Sequence, residues 1–370
     1  MDANKSSQQV IKEGNLRLLF RLLHKGEAAS RAELKKLTGL SATTVSTLVD
    51  ELIANGLVID AGVKETKTSG RKAVAVKINP TGGYFLGVDV GKASIIADVY
   101  RLDFSLEKHT EIPVESGESF ATKIMNAISL ATRNHKILGI TIGLPGVIDP
   151  ETNRLVSSTV LPAEDARDIY DILSDALPGI KVNIKNNSGL IALAEREFGG
   201  YSDIKNLISI DINDGVGAGI LTDGEIYSGS GMAGEFGHLS VDYRGERCSC
   251  GSYGCLELYA SIPAILKNTG TNSIKELNAY IALGEGKDKI YNIAKVLAFG
   301  INNIVNLLNP EVIVIGGEIK KLGENFLTPL KEITKEIALI KDTKIEFSTL
   351  EGNGVTLGGA KYSFDEIFGK

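Results

Sequence analysis

Residues 15–39 have the pattern of two short amphipathic helices and a turn. Four apolar residues follow the i, i+3, i+4, i+7 spacing of a helix with one buried face: Leu16, Leu19, Phe20 and Leu23. A second helix is predicted to begin at Ser30, because Ser30 and Glu33 form the S-x-x-E capping box, whose hydroxyl and carboxylate satisfy backbone N–H groups at a helix start. Gly39 then predicts a tight turn.

A third helix is predicted after this turn, and its two faces differ in chemistry. Ser41 is expected to cap it, and the apolar stripe that it would bury is Val45, Leu48, Val49, Leu52 and Ile53. The opposite side carries hydroxyl groups on Thr43, Thr44, Ser46 and Thr47. Short hydroxyl side chains at a helix N-terminus can contact base edges and phosphates in a major groove. Ser41 and these four residues are therefore predicted to bind DNA.

Residues 56–79 predict two strands joined by a polar, basic loop. Arg71 lies in this loop beside Gly70, and its guanidinium could enter a minor groove, where the potential is most negative. Three helices and a basic hairpin predict a winged helix-turn-helix over residues 1–80. The alternatives are a three-helix protein-interaction module and a helical cap, in which the hydroxyls of residues 43–47 are only solvated.

From residue 84 onward, short apolar runs punctuated by glycines predict strands, with helices between them. A strand, a glycine turn and a second strand recur at residues 206–229, followed by a long apolar helix over 291–308 and a buried strand over 311–319. Two similar halves predict an α/β protein of two lobes with a cleft between them. We assign residues 81–195 and the C-terminal helix 356–370 to the first lobe, and residues 196–355, with a dimerisation surface, to the second.

Charge separates the N-terminal segment, residues 1–80, from the rest of the chain. The segment has 13 Lys and Arg against 8 Asp and Glu, a net charge of +5, whereas the other 290 residues have 27 against 38, a net charge of −11. A basic module on an acidic body suits binding to a phosphate backbone. The 43% hydrophobic content is ordinary for a water-soluble protein, and no apolar run reaches the length of a membrane span, so a cytoplasmic location is expected.

All three cysteines lie within eight positions, at 248, 250 and 255. In a reducing compartment an odd number of clustered thiols fits metal ligation better than a disulfide framework. The alternative is a set of buried thiols beside a core histidine.

Seven segments in order resemble the ROK family of bacterial repressors and sugar kinases: GVDVG, IGLPGVID, IKNNSGLIALAE, GVGAG, GEFGH, CSCGSYGCLE and NPEVIVIGG. With the N-terminal segment in front, the chain resembles the branch that holds the xylose and N-acetylglucosamine repressors. The resemblance implies a two-lobe, actin-like (ribonuclease H-like) sugar-kinase fold behind the DNA-binding domain. The G-H-x9-C-x-C-G-x2-G-C-x-E element, at residues 237–257, is its most specific part.

This element predicts a structural zinc site and part of a sugar site. His238, Cys248, Cys250 and Cys255 supply the four N and S ligands of a closed tetrahedral site, and Gly251 and Gly254 let the chain wrap around the ion. The resemblance implies sugar contacts from Glu235, His238 and Glu257, whose carboxylates can accept hydrogen bonds from vicinal hydroxyls. It adds Asn186, Asn187 and the turn at Gly146. For each glutamate alone, the alternative is a surface carboxylate.

Departures from the kinase pattern favour a sensor over an enzyme. Family kinases have an aspartate base where this chain has Asn187, and an amide cannot take a proton from a sugar hydroxyl at neutral pH. In the first phosphate loop, the charge of Lys92 could attract a phosphate, although its side chain would block the approach to the backbone. The second loop is clearer, because it has Asp214, whose charge would repel a phosphate. We therefore expect no catalytic residue and no ATP requirement.

The resulting prediction is a dimeric, or alternatively tetrameric, repressor of a carbohydrate-utilisation operon that a sugar releases from operator DNA. The alternatives are a sugar kinase with a DNA-binding appendage, an activator with the opposite coupling, and a scaffold without ligands. Xylose is the first candidate effector. Asp165 and Ala166 stand where relatives often have amide and aromatic residues, which favours a different sugar.

Overall fold

Three helices and a two-stranded hairpin form the N-terminal segment in the computed structural model, which describes residues 7–63, 74–114, 119–158, 161 and 169–369. The helices are α1 (Ser7–His24), α2 (Arg31–Thr38) and α3 (Ala42–Ala54), and β1 (Val58–Val63) pairs antiparallel with β2 (Val74–Ile78). α1 begins eight residues before the predicted helix. Arg71 lies outside the described residues, and so do Asp165 and Ala166.

The predicted caps start the second and third helices. Glu33 N–H donates to Ser30 Oγ at 3.2 Å, and the Glu33 carboxylate accepts from Ala29 N–H at 2.7 Å. Gly39 adopts φ +71°, which a side chain would disfavour, and its N–H closes α2. In α3 the predicted stripe is buried at Val45, Leu48, Val49 and Leu52, while Ile53 is half-buried.

The first large sheet has the strand order β5-β4-β3-β6-β9. Its strands are β3 (Tyr84–Val90), β4 (Ser94–Arg101), β5 (Leu106–Pro113), β6 (Ile137–Leu144) and β9 (Lys181–Asn186). β3, β4 and β5 form an antiparallel meander, and β6 joins β3 in parallel. Between these strands lie α4 (Phe120–Thr132), a small hairpin of β7 (Val147–Ile148) and β8 (Leu155–Ser157), and α5 (Ile169–Ala176).

The second large sheet repeats this plan, with the strand order β12-β11-β10-β13-β14. Its strands are β10 (Leu207–Ile212), β11 (Val216–Thr222), β12 (Glu225–Ile226), β13 (Val312–Gly317) and β14 (Lys344–Phe347). Again the first three strands are an antiparallel meander, and β13 joins β10 in parallel. The predicted recurrence in the sequence is therefore a repeated sheet topology.

The helices of the second half form a buried core with its sheet. They are α7 (Glu257–Ala260), α8 (Ile262–Thr269), α9 (Ile274–Ala282), α10 (Lys287–Leu308) and α11 (Glu324–Ile337). α6 (Asn187–Phe198) packs on β10 and β11 through a separate cluster that includes Ala192, and the last helix described is α12 (Gly354–Phe368). In the part of the chain that the structure describes, no helix is both long and apolar enough to cross a membrane.

The chain divides into two compact units. Unit 1 contains residues 1–144, 158–184 and 359–370, and unit 2 contains residues 145–157 and 185–358. The N-terminal segment clusters with the first sheet in unit 1, and its assignment to a domain of its own stays a prediction. Residues 145–157 and 185–195 lie in unit 2, and for the second of these ranges the reason is that α6 packs on β10 and β11.

Candidate metal and sugar site

The predicted metal ligands come together in unit 2. The donor atoms of His238, Cys248, Cys250 and Cys255 all lie within 4.8 Å of one another. His238 Nδ1 is 3.7 Å from Cys248 Sγ, and the sulfurs of Cys250 and Cys255 are 3.6 Å apart. Tetrahedral zinc, with Zn–S bonds of about 2.3 Å, would place its ligand atoms about 3.5–3.8 Å apart. The four residues therefore fit one metal ion.

Close backbone packing shapes the metal loop, residues 234–257. Val241 N–H donates to Gly254 O, and Cys248 N–H donates to Ser252 O. Gly254 adopts φ +60°, and a Cβ there would lie 1.7 Å from Asp242 O. Gly251, at φ +96°, turns the chain between Cys250 and Ser252. The two glycines that the sequence singled out are thus required by backbone geometry.

The thiols of this loop have unequal acidities. Burial raises the pKa of Cys255 to about 12, and hydrogen bonding to the other two thiols acts in the same direction. Burial also acts on Cys248, but hydrogen bonds from the backbone and thiol of Cys250 outweigh it and lower the pKa of Cys248 to about 7. Cysteines bind metal ions as thiolates, so metal binding at this cluster must release protons. Of Cys248 and Cys255, Cys255 is the less acidic thiol.

His238 directs its two ring nitrogens to different partners. Nδ1 faces Cys248 in the metal cluster, while Nε2 lies 4.0 Å from Glu235 Oε2. A short 3-10 turn, Phe236–His238, holds the pair, and Phe236 is buried beneath it. Glu235 is 41% exposed and His238 29%, so both can reach a solute. This arrangement fits a histidine that ligates a metal and also faces a sugar.

Glu257 is anchored at the start of α7. Its Oε2 accepts a hydrogen bond at 3.1 Å from the N–H of Val216, which is the first residue of β11. A Cβ at Gly215 would lie 2.8 Å from this oxygen, and one at Gly237 would lie 3.3 Å from it. The carboxylate therefore occupies space that only glycines leave open. The Val216 contact could not be predicted from residue types, because every residue except proline carries the same backbone N–H donor.

Asn186 serves as a structural tether. Its Oδ1 accepts from Ser188 N–H and caps α6, and its Nδ2 donates to Gly146 O at 2.8 Å. Gly146 adopts φ +140° in the predicted turn. A cavity in unit 2 is lined by Asn186, Ile148, Lys185, Tyr227 and Ala233. Because Ala233 precedes Glu235 by two residues, the turn and the tether lie near the metal loop.

Asn187 follows as the first residue of α6 and is half-buried. Asp214 lies in the loop after β10, next to Asn213, whose side chain bridges two strand ends. Asn213 Oδ1 accepts from Glu318 N–H at 2.8 Å, and its Nδ2 donates to Asp211. This side chain thus joins the ends of β10 and β13, a connection that the sequence did not predict. Lys92 lies at the turn between β3 and β4.

The predicted DNA-binding hydroxyls lie at the start and in the N-terminal half of α3, and some of them are hydrogen-bonded within the segment while others face solvent. Ser41 Oγ accepts from Thr44 N–H at 3.0 Å and shares a hydrogen bond with the Thr44 hydroxyl. Ser46 Oγ accepts from Arg31, which also pairs with Asp50. Thr43 and Thr47 are exposed. The helix therefore presents Thr43 and Thr47 to solvent, while its other hydroxyls are engaged in local bonds.

Two repeated α/β sheets and a His/Cys3 cluster that could hold a metal define the class: a mixed α/β protein with an actin-like arrangement of strands. The particular family follows from the sequence comparison. The chain belongs to the ROK family, whose model matches residues 85–360.

Curated relatives align over most of this chain. The xylose repressor of Caldicellulosiruptor bescii is 29% identical over 381 residues, covering 94% of this chain and 95% of its own length. The N-acetylglucosamine repressor of Shigella flexneri is 26% identical over 356 residues, covering 89% of this chain and 86% of its own.

Two solved structures match different lengths of the chain. A ROK family transcriptional regulator, a homologue of the Escherichia coli MLC protein, matches 97% of both chains at 27% identity with a TM-score of 0.83. A ROK family glucokinase from Streptomyces griseus, in complex with glucose and AMPPNP, matches 76% of this chain and 99% of its own at 23% identity with a TM-score of 0.65. The second match shows the shared fold.

Proposed function

We propose that this protein is a sugar-responsive transcriptional repressor that binds operator DNA through its N-terminal segment as a winged helix-turn-helix. One observation carries the proposal: a transcriptional regulator matches 97% of the chain, whereas a complete glucokinase matches only 76%. The unmatched quarter is about the size of the N-terminal segment. The basic charge of this segment and the exposed Thr43 and Thr47 on α3 support DNA contact.

The effector in this proposal is a sugar held by Glu235, His238 and Glu257. Two carboxylates and an imidazole suit vicinal hydroxyls, since charged acceptors make the stronger hydrogen bonds. Asn187 and the Gly146 turn complete the site, and Asn186 positions both. D-xylose is the first candidate because a xylose repressor covers nearly the whole chain. A structural zinc ion, held by His238 and the three cysteines, would fix the loop that carries the contacts.

In this proposal the sugar binds the DNA-free protein more tightly than the DNA-bound protein. By linkage, the sugar-bound protein then has a lower affinity for operator DNA. The protein acts in the cytoplasm as a homodimer, because repressors of this type read paired half-sites about 34 Å apart. The test is a thermal-shift panel of monosaccharides and disaccharides, followed by DNA binding with and without each stabilising sugar. Operators come from selection among random duplexes. A chain that binds no duplex specifically would refute the proposal.

The second candidate is a sugar kinase with a DNA-binding appendage, which the glucokinase-like fold favours. Asn187 opposes it, because loss of a general base typically costs 10²- to 10⁴-fold in rate. The Asn213 bridge and the charge of Asp214 oppose nucleotide entry as well.

A coupled ATPase assay across the sugar panel separates the two candidates. We expect no sugar-dependent turnover from the unmodified protein, and little from Asn187→Asp, because Asn213, Asp214 and Lys92 remain. Robust turnover by the unmodified protein on any sugar would establish the kinase.

A further inference from the structure

An aromatic cluster joins α1 of the N-terminal segment to α12, the last helix of the chain. It consists of Phe20 and His24 from α1, Phe364 and Phe368 from α12, and Phe104. Phe20 stacks on Phe368 with ring centroids 4.0 Å apart, and His24 lies 4.6 Å from Phe364. The three phenylalanines of the two helices are at most 4% exposed. The contact between the two helices is therefore a buried aromatic packing interface. We refer to it below as the joint.

Polar contacts hold the same joint on the side of the first sheet. His24 Nε2 donates to Leu102 O at 2.7 Å, and the ring meets Phe104 edge-on at 5.5 Å. At the other end of the N-terminal segment, Lys136 Nζ donates to Asn55 O at 3.1 Å. Asn55 directly follows α3, so the segment contacts the rest of unit 1 at both ends, and α1 packs on α3 within it. α12 therefore meets the N-terminal segment at the helix that supports α3.

α12 is one continuous helix, yet it belongs to both units. The division falls between Gly358 and Gly359, in its first half. A Cβ at Gly358 would lie 2.0 Å from Leu190 O of α6, so the two helices touch through their backbones. On the unit 1 side, a Cβ at Gly359 would meet Thr141 O at 3.2 Å. Such close-packed contacts transmit a displacement instead of absorbing it.

α6 in turn begins at the proposed sugar site. Asn186 caps this helix and is bonded to Gly146 O, and Asn187 is its first residue. A contiguous path therefore runs from the Gly146 turn through α6, by the Leu190–Gly358 contact, into α12. From there it continues along α12 to Phe364, Phe368 and α1.

We propose that α12 couples the sugar site to the DNA-binding segment, and that the aromatic cluster is the joint through which sugar binding changes operator affinity. The inference rests on the proposed function. It assigns to Phe20, Phe364 and Phe368 a positioning role, since none of them touches sugar or DNA.

The test uses full-length Phe368→Leu, Phe20→Leu and the double variant, because leucine keeps the site apolar while removing the stacked ring. D-xylose, and then the other sugars of the panel, is titrated by calorimetry, and affinity for the selected duplex is measured with and without saturating sugar. Allosteric couplings are commonly about 5- to 150-fold. We expect each single variant to reduce the coupling of the unmodified protein to about twofold or less, with sugar affinity unchanged.

Phe120→Leu is the matched control. Phe120 is a buried phenylalanine of unit 1 in α4, outside the aromatic cluster. Full coupling in Phe368→Leu would overturn the proposal, and so would an equal loss in Phe120→Leu, which would indicate general loosening. If no sugar changes the operator affinity of the unmodified protein, the proposed function fails first and this inference fails with it.

Hydrogen exchange on the unmodified protein gives a second readout that does not depend on variant folding. Saturating sugar is expected to change amide protection in residues 359–368 and in the last two turns of α1. A response confined to unit 2 would refute coupling through α12 even if the sugar releases DNA.

Discussion

The two large sheets have the same strand order, but different additions. In unit 1 the meander of β3, β4 and β5 leads directly into α4, and the sheet supports the aromatic cluster and the N-terminal segment. In unit 2 the corresponding meander ends at β12 and is followed by the metal loop, with Glu235 and Glu257 near its two ends. One topology is thus followed by the His/Cys3 cluster in one copy and supports apolar packing in the other.

The difference between the two copies lies outside the strands that they share. The sheets are built from buried aliphatic side chains that any α/β core provides, such as Ile210 and Val314 in unit 2. The proposed ligand-binding groups instead lie on loops beyond the strands, where irregular backbone can bring polar atoms together. The first three predictions below change residues of unit 2, and the last changes the N-terminal segment in unit 1.

Removal of the metal should have the largest effect, and only in unit 2. Cys255→Ser removes a fully buried donor, and because metal-binding energy is folding energy for such loops, we expect a loss of several kcal/mol in unit 2 stability. Metal analysis should find about one zinc per chain in the unmodified protein and almost none in the variant. Hydrogen exchange should show lost protection in residues 235–260 and none in α1–α3.

Ser252→Ala, an exposed position in the same loop, is the control and should keep its metal. Equal zinc content in Cys255→Ser and the unmodified protein would show that the cluster is not the binding site.

Glu257→Gln should weaken sugar binding by about tenfold to a hundredfold, the value of a hydrogen bond to a charged acceptor. The amide oxygen can still accept from Val216 N–H, so the fold should persist. Calorimetry with the stabilising sugar measures the change. Glu246→Gln, an exposed glutamate of the metal loop, is the control, and a matching loss there would mean that overall charge rather than contact determines affinity.

Asp211→Asn should stabilise unit 2 at neutral pH. Burial raises the pKa of Asp211 from 3.8 to about 6. The folded state therefore holds its proton more tightly than the unfolded state, and stability falls as pH rises from about 4 to 6. Above pH 6 the penalty is at most about 3 kcal/mol, and we expect a net gain of about 1 to 2 kcal/mol from the amide.

Chemical denaturation at two pH values tests this. The gain should be roughly half as large at pH 5 as at pH 7.5, since the carboxyl is mostly protonated in the folded state at pH 5. A gain that does not vary with pH would assign the effect to packing.

The smallest effects are expected in the N-terminal segment. Thr43→Ala, at an exposed hydroxyl of α3, should relax base preference more than affinity. Arg71→Ala should weaken operator binding by about tenfold through the loss of a minor-groove cation. Binding to matched and mismatched duplexes measures both. Sugar affinity should stay constant in both variants, and a drop there would show that the interface lies elsewhere.

Local features of the fold were accessible from the sequence because neighbouring residues determine them. The Ser30 and Ser41 caps, the Gly39 turn and the buried stripe of α3 depend on groups a few positions apart. The metal cluster was accessible for the same reason, since all four ligands lie within 18 residues. The family itself was recognisable from short motifs and is confirmed by the match to residues 85–360.

Tertiary structure alone decided the contacts between distant residues. Nothing in the spacing of Phe20 and Phe368 indicates that they stack, because their contact depends on how helices pack across 348 positions. The anchoring of Glu257 by Val216 N–H and the bridge from Asn213 to Glu318 depend on backbone groups that every residue type shares. Periodicity and caps are properties of one segment, whereas packing and backbone hydrogen bonds are properties of the pairs of segments that the fold brings together.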